Sequence, residues 1–207
     1  VGAWVKIDEI PFDFERRRSS VLVARSGERL MVTKGAPEGV LALCTQVEAS
    51  DGTTAPLDAA RRAAIVALID ARGREGMRLL GVAWRRIPAE RGTIAIDDEA
   101  DLVFAGCAAF LDPPKASATE AVARLHKAGV RVKIISGDAE PVVRHLVETL
   151  ALPARRLMTG ADIANLSDAT LAARAVDTDL FVRVSPDQKS RIVRALRRRG
   201  HTVGFIG

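Results

Sequence analysis

Apolar residues recur along the chain in two rhythms. In the first half they form short runs separated by turn residues. Val21-Leu22-Val23-Ala24 and Leu30-Met31-Val32-Thr33 flank Ser26-Gly27-Glu28, which reads as a β-hairpin and its loop. Pro37 suits the first turn of a helix running through Glu38 to Cys44. Asp51-Gly52 marks a turn, and a longer helix is expected over about 57–71, ending near Gly73 and Gly76. Residues 79–84 and 102–111 read as strands, with 88–101 as the loop between them. This half predicts a mixed, mostly antiparallel sheet with helices.

After Asp112-Pro113-Pro114 strands and helices alternate. A helix over 117–127 ends at Gly129, and 130–135 reads as a buried strand stopping at Ser136-Gly137-Asp138. Helix 141–150, a short strand near Leu157, a helix after Ser167 and strand 180–184 follow. Ser185-Pro186 opens the next helix, with serine as its cap and proline in its first turn, and 202–206 reads as a final strand. Such alternation implies right-handed crossovers and a mainly parallel sheet, whose ligand site lies beyond the carboxyl ends of the strands. The fold class is therefore α/β in two domains, 1–111 and 112–207, with two prolines stiffening the junction.

Composition narrows the classes. At 207 residues, 48% hydrophobic and 28% charged, the chain has the makeup of a folded globular protein. Two distant cysteines, Cys44 and Cys107, exclude a disulfide scaffold and suit a reducing compartment. No apolar run is long enough to span a bilayer, and Lys6, Asp8 and Glu9 do not suit a signal peptide. Val1 is not methionine and Gly207 ends an apolar run, so the chain reads as a piece of something longer.

The net charge of +5 is uneven: 15 Lys+Arg against 16 Asp+Glu in 1–111, but 16 against 10 in 112–207. Much of the excess (Lys189, Arg191, Arg194, Arg197-Arg198-Arg199) surrounds an apolar stripe of Ile192, Val193 and Leu196, which reads as the solvated back of a helix with a basic last turn. With no Tyr, six Phe and two Trp, a base-stacking surface is not expected, and nucleic acid is not assigned as a partner.

Three groups in the second half suit a phosphoryl ligand. Ser136-Gly137-Asp138 lies at a strand-to-helix turn, where a hydroxyl and backbone N–H groups can bind phosphoryl oxygens, or simply form a turn and a helix cap. Lys189 supplies a point charge at the same sheet edge or is solvated, and Asp112 ends another strand there. Lys115 reads equally as a surface residue beside a hinge.

These residues carry a family resemblance. Leu111-Asp112-Pro113-Pro114-Lys115, Ile135-Ser136-Gly137-Asp138 and Val182-Arg183-Val184-Ser185-Pro186-Asp187-Gln188-Lys189 resemble successive signatures of the phosphorylation domain of P-type ATPases, which has the haloacid-dehalogenase-like, Rossmann-like fold. Lys34-Gly35-Ala36-Pro37-Glu38 and Pro11-Phe12-Asp13-Phe14-Glu15-Arg16-Arg17-Arg18-Ser19-Ser20 resemble the nucleotide-binding domain of the same family. The matches run in family order from about residue 8 to 207, and the segment 9–18 is most similar to bacterial magnesium-transporting members; the next residue, Ser19, departs from them, since they usually have Met there.

The resemblance implies roles. Phe12 would stack on adenine, where the residues alone also allow a core aromatic beside Phe14. Lys34 would line the pocket, with Gly35 allowing close approach, and Arg17 and Arg78 would reach nucleotide phosphates. An aromatic face plus cations suits a polyanionic purine nucleotide. At least one of Arg16, Arg17 and Arg18 is expected to be only the solvated edge of a strand. Ser136, Gly137 and Lys189 would hold the transferred phosphoryl group, while Asp138 orients nucleotide or metal-bound water and Asp112 lines the site and hinge.

ATP and Mg²⁺ are the implied cofactors. The implied setting is the cytoplasmic portion of an integral membrane protein, with the rest of a pump and its cation as partners. No metal ligand is assigned in the chain. The family's Asp-Lys-Thr-Gly-Thr nucleophile sequence is absent and is expected before Val1; the Gly-Asp-Gly-x-Asn-Asp motif is expected to begin at Gly207. The fragment alone is expected not to turn over ATP, and its second sheet to lack a central strand. Two rivals remain: a haloacid-dehalogenase-type phosphatase with a cap domain, and a pump for another cation such as Ca²⁺.

Overall fold

A two-residue turn, Ser26-Gly27, has positive φ at both positions (50° and 82°), the type I′ geometry that matches the twist of the strands it joins. Those strands are β2 (Arg18–Arg25) and β3 (Glu28–Gly35), at the heart of a seven-stranded sheet completed by β1 (Val5–Asp13), β4 (Cys44–Glu48), β5 (Thr54–Pro56), β6 (Met77–Arg86) and β7 (Leu102–Leu111). The computed structural model describes residues 3–206, so Val1 and Gly207, to which the flanking motifs were referred, lie outside the described residues. The described chain forms two compact units. The first runs to Arg72 and includes Leu79–Phe110; the second comprises Gly73–Arg78 and the residues from Leu111.

In the first unit the strand order is β1-β2-β3-β6-β7-β4-β5; β1–β2, β2–β3, β3–β6 and β4–β5 pair antiparallel and β4–β7 parallel. Register sets the buried face. Leu22 pairs with Met31, Ser20 with Thr33, and Thr33 with Ala83, all of them buried. Helix α1 (Pro37–Ala42) packs on β3 and adds Val40 and Leu41 to the core, with Cys44, Leu57, Ile87, Leu102 and Phe104. Helix α2 (Ala59–Arg74) is tethered by Arg62, which donates to the carbonyls of Leu41 and Cys44 at 2.8 and 2.9 Å.

Three strands of this sheet, β1, β4 and β5, are not among those the apolar runs predict. β1 buries Ile10 alone of its nine residues, and register shifts between Lys6 and Asp8 and between Ile10 and Asp13 break its alternation. An edge strand of that kind carries almost no hydrophobic signal.

The second unit holds three parallel strands in the order β8-β10-β9: β8 (Ile134–Ile135), β9 (Leu157–Thr159) and β10 (Leu180–Val182). Five helices accompany them: α3 (Ala118–Lys127), α4 (Glu140–Thr149), α5 (Gly160–Ala164), α6 (Asp168–Ala175) and α7 (Pro186–Arg198). Val143, Val147, Leu180 and Val182 make one core; Phe181, Leu171, Ile163 and Ile192 center another.

Two strand expectations fail here. The run 130–135 contributes only Ile134-Ile135, with Val130 46% exposed, and 202–206 forms no strand, with Ile206 99% exposed. A strand exists only through a partner, and among the described residues β8 is an edge that pairs with β10 alone.

Candidate functional site

In the first unit the predicted residues gather at one end of the β1–β2–β3 ladder. Lys34 pairs with Ser19, and the neighboring Arg18 pairs with Asp13, next to Phe12. Phe12 itself lies in the irregular stretch of β1 between Ile10 and Asp13, two strands across from Lys34 in the sheet order. Phe12 is 55% exposed and meets Phe14 edge to face, with ring centroids 5.2 Å apart, so it is not a core aromatic. Lys34 is also exposed.

Arg17 sits in the bend between β1 and β2 with φ of 51°, a left-handed conformation costly for a residue with a Cβ. The bend is held locally. The Asp13 carboxylate accepts from the amides of Glu15 and Arg16 at 2.9 and 2.8 Å, and the Asp13 carbonyl from the Arg17 amide at 2.7 Å. Gly35 lies against it: a Cβ there would stand 2.4 Å from the Arg17 carbonyl oxygen and 2.5 Å from the Arg18 Cβ. Close backbone packing therefore already requires this glycine.

Arg16 and Arg18 are not a solvated edge. Both reach Glu99, which is 3% exposed, with Arg16 Nη1 at 2.8 Å from each carboxylate oxygen and Arg18 Nε at 2.6 Å from Oε2. Ser20 Oγ donates to Glu99 Oε1 at 2.8 Å and lies 2.8 Å from Thr33 Oγ1. Burial pushes the Glu99 carboxyl upward, but hydrogen bonds from Arg18, Ser20 and Arg16 outweigh it and hold the group below its ordinary value. Sequence reasoning missed Glu99, because nothing local separates it from Asp97 and Asp98. The Asp13 cap was missed as well, although its signal is local: aspartate before a bend commonly accepts from amides two or three residues on.

In the second unit the parallel pairing places Ser136-Gly137-Asp138, after β8, and the start of α7, after β10, at the same carboxyl edge. The Arg183 amide donates to the Asp138 carbonyl at 3.0 Å and the Val184 amide to that of Ser136 at 3.1 Å, joining the two loops. Lys189 is half-buried in α7, whose cap is a reciprocal pair: Gln188 N donates to Ser185 Oγ at 3.3 Å and Ser185 N to Gln188 Oε1 at 2.9 Å.

Arg78 belongs to this unit and bridges two carboxylates, Asp112 Oδ2 at 3.2 Å and Asp138 Oδ2 at 2.9 Å. A Cβ at Gly137 would meet only the Val184 carbonyl oxygen, at 3.6 Å.

The edge thus carries a lysine charge, a hydroxyl already donating to Asp138, and an arginine already paired with Asp112 and Asp138. The basic run of α7 is only partly solvated: Arg191 pairs with Asp168 at 3.0 Å and donates to the Ile163 and Leu166 carbonyls at 3.1 and 2.7 Å. Among the described residues no three His, Cys, Asp or Glu side chains converge to hold a metal ion. Nor is any helix there long and apolar enough to cross a membrane.

Residues 2–117 match the family described as P-type ATPase, cytoplasmic domain N. The whole chain is 45% identical to a magnesium-transporting ATPase, P-type 1, of Salmonella typhimurium, covering 23% of that relative. It is 44% identical over 205 residues to the protein of that name from Escherichia coli, covering 99% of the chain and 23% of the relative. It is 36% identical over 213 residues to a probable cation-transporting ATPase F of Mycobacterium tuberculosis, covering 98% of the chain and again 23% of the relative. The chain thus spans about a quarter of the length of these relatives.

Proposed function

The chain belongs to the P-type ATPase family, and from that premise we propose that it is the ATP-binding and phosphoryl-transfer part of a pump that moves Mg²⁺ across a membrane. Residues 1–111 form the nucleotide-binding domain and 112–207 part of the phosphorylation domain. The family match accounts for the first unit, which a capped phosphatase leaves unexplained. The choice of Mg²⁺ over Ca²⁺ is supported by the magnesium-transporting relatives.

The observation that carries the nucleotide reading is the exposed ring of Phe12 at the same end of the ladder as Arg17 and Lys34. Phe12 stacks on adenine, Lys34 lines the pocket and Arg17 reaches the phosphates, an apolar face and cations matched to a purine nucleotide. In the second unit Lys189 neutralises the transferred phosphoryl group and Ser136 donates to it, with the Gly137 backbone close by. Asp138 and Asp112 hold Arg78 at that edge. The phosphorylated aspartate comes from the rest of the pump.

P-type ATPases use Mg²⁺ with ATP, where the metal offsets phosphate charge. The described carboxylates do not gather into a site for it, and Asp138 is committed to Ser136 and Arg78, so no step of this reading passes through a metal they hold.

Calorimetric titration of ATP into the chain tests the proposal. Base–aromatic stacking contributes about 1–3 kcal/mol, so Phe12→Ala is expected to weaken ATP by at least about fivefold. Equal affinity in the variant would remove the adenine site from Phe12.

A further inference from the structure

The least accessible carboxylate of the first unit is put to no use in that reading. Glu99 has a side chain with 0% exposure, and a carboxylate so enclosed is tolerated only when its oxygens are fully paired. Its partners are Arg16, Arg18 and Ser20. Two of them flank Arg17, so a residue about 80 positions along the chain grips the bend from both sides.

The grip extends further. Arg16 Nη2 donates to the Pro11 carbonyl at 3.0 Å, directly before Phe12, and the Arg17 carbonyl accepts from the Ala36 amide at 2.9 Å, directly after Lys34-Gly35. One guanidinium thus ties the Glu99 carboxylate to the backbone that carries the exposed ring. With Nη1 on both Glu99 oxygens and Nη2 on the Pro11 carbonyl, the planar guanidinium fixes the two acceptors relative to each other, which a lysine at the same position cannot do.

We propose that Glu99 is a positioning residue of the nucleotide site: through Arg16 and Arg18 it sets the bend that presents Phe12 and Arg17, without touching the nucleotide. The inference rests on the ATP-binding reading above. A purely structural Glu99 would change how much protein is folded and leave the affinity of the folded protein alone. A positioning Glu99 changes that affinity, and does so only through the residues it positions.

The test is ATP titration into the whole chain and its variants, each held well below its own unfolding temperature. Glu99→Gln keeps the shape and removes the charge; Arg16→Lys keeps the charge and removes the fork. Both are expected to weaken ATP about fivefold. Combined with Phe12→Ala or Arg17→Ala, Glu99→Gln is expected to cost clearly less than the product of the single effects. If Glu99→Gln does not fold, Arg16→Lys and its own combinations decide the matter.

Should Phe12→Ala and Arg17→Ala weaken ATP while Glu99→Gln and Arg16→Lys bind like the parent chain, the positioning role is overturned and the nucleotide site stands. Fully multiplicative effects overturn it as well. If neither Phe12→Ala nor Arg17→Ala weakens ATP, the nucleotide site itself is lost, and the role of Glu99 with it.

Discussion

Ser136 and Asp138 are hydrogen-bonded to each other in both directions: the serine hydroxyl donates to Asp138 Oδ2 at 2.8 Å, and the Asp138 amide donates to the serine oxygen at 3.1 Å. The turn after β8 is therefore closed by its own side chains, and the hydroxyl must leave Asp138 before it can donate to a phosphoryl oxygen. Ser136→Ala is expected to lower the stability of the second unit by about 1 kcal/mol, the usual net value of one hydrogen bond. Both tryptophans, Trp4 and Trp84, lie in the first unit. Urea unfolding should thus show the loss by circular dichroism with no change in the tryptophan transition; a shift confined to tryptophan would refute it.

The glycines separate by what surrounds them. Gly35→Ala drives a methyl against the Arg17 backbone, and Gly160→Ala puts one 2.2 Å from the Arg183 carbonyl oxygen. Neither neighbor is a flexible side-chain tip, so each substitution is expected to cost about 3 kcal/mol, the first in the tryptophan transition and the second outside it. Gly137→Ala, with its nearest neighbor at 3.6 Å, should stay within about 0.5 kcal/mol. Equal effects at all three positions would contradict the packing described.

Acid should destabilise the first unit partly through Glu99. Its carboxyl is held below the ordinary value of 4.5, so between the folded and unfolded values the unfolded chain binds the proton more tightly. That contribution is complete above about pH 4.5 and is lost as pH falls through the folded value. Tryptophan-detected unfolding midpoints of Glu99→Gln should therefore fall less steeply with acid than those of the parent. Parallel slopes would mean that the buried pairings do not hold the charge.

Arg191 and Arg198 share Asp168 but differ in setting. Arg191 also donates to two carbonyls near the end of α5, whereas Arg198 makes one exposed contact at 3.1 Å. Arg191→Ala is expected to cost about 1–2 kcal/mol in the second unit, and Arg198→Ala less than about 0.5 kcal/mol. High salt should leave the first largely unchanged. A reversed order in chemical denaturation would count against the role of the half-buried Arg191.

Features that depend on a few neighboring residues were legible in the amino-acid order. The β2–β3 hairpin follows from Ser26-Gly27, the start of α7 from Ser185-Pro186, and the carboxyl edge of the second unit from strands that alternate with helices. Tertiary structure alone decided what depends on distant partners. It made β1 a strand despite its broken alternation, left 202–206 without a strand partner among the described residues, brought Glu99 to Arg16 and Arg18, and pressed Gly35 against the bend. The physical reason is reach: a turn or a cap is satisfied within about four residues, whereas a buried charge and a strand edge are satisfied only by whatever the folded chain brings beside them.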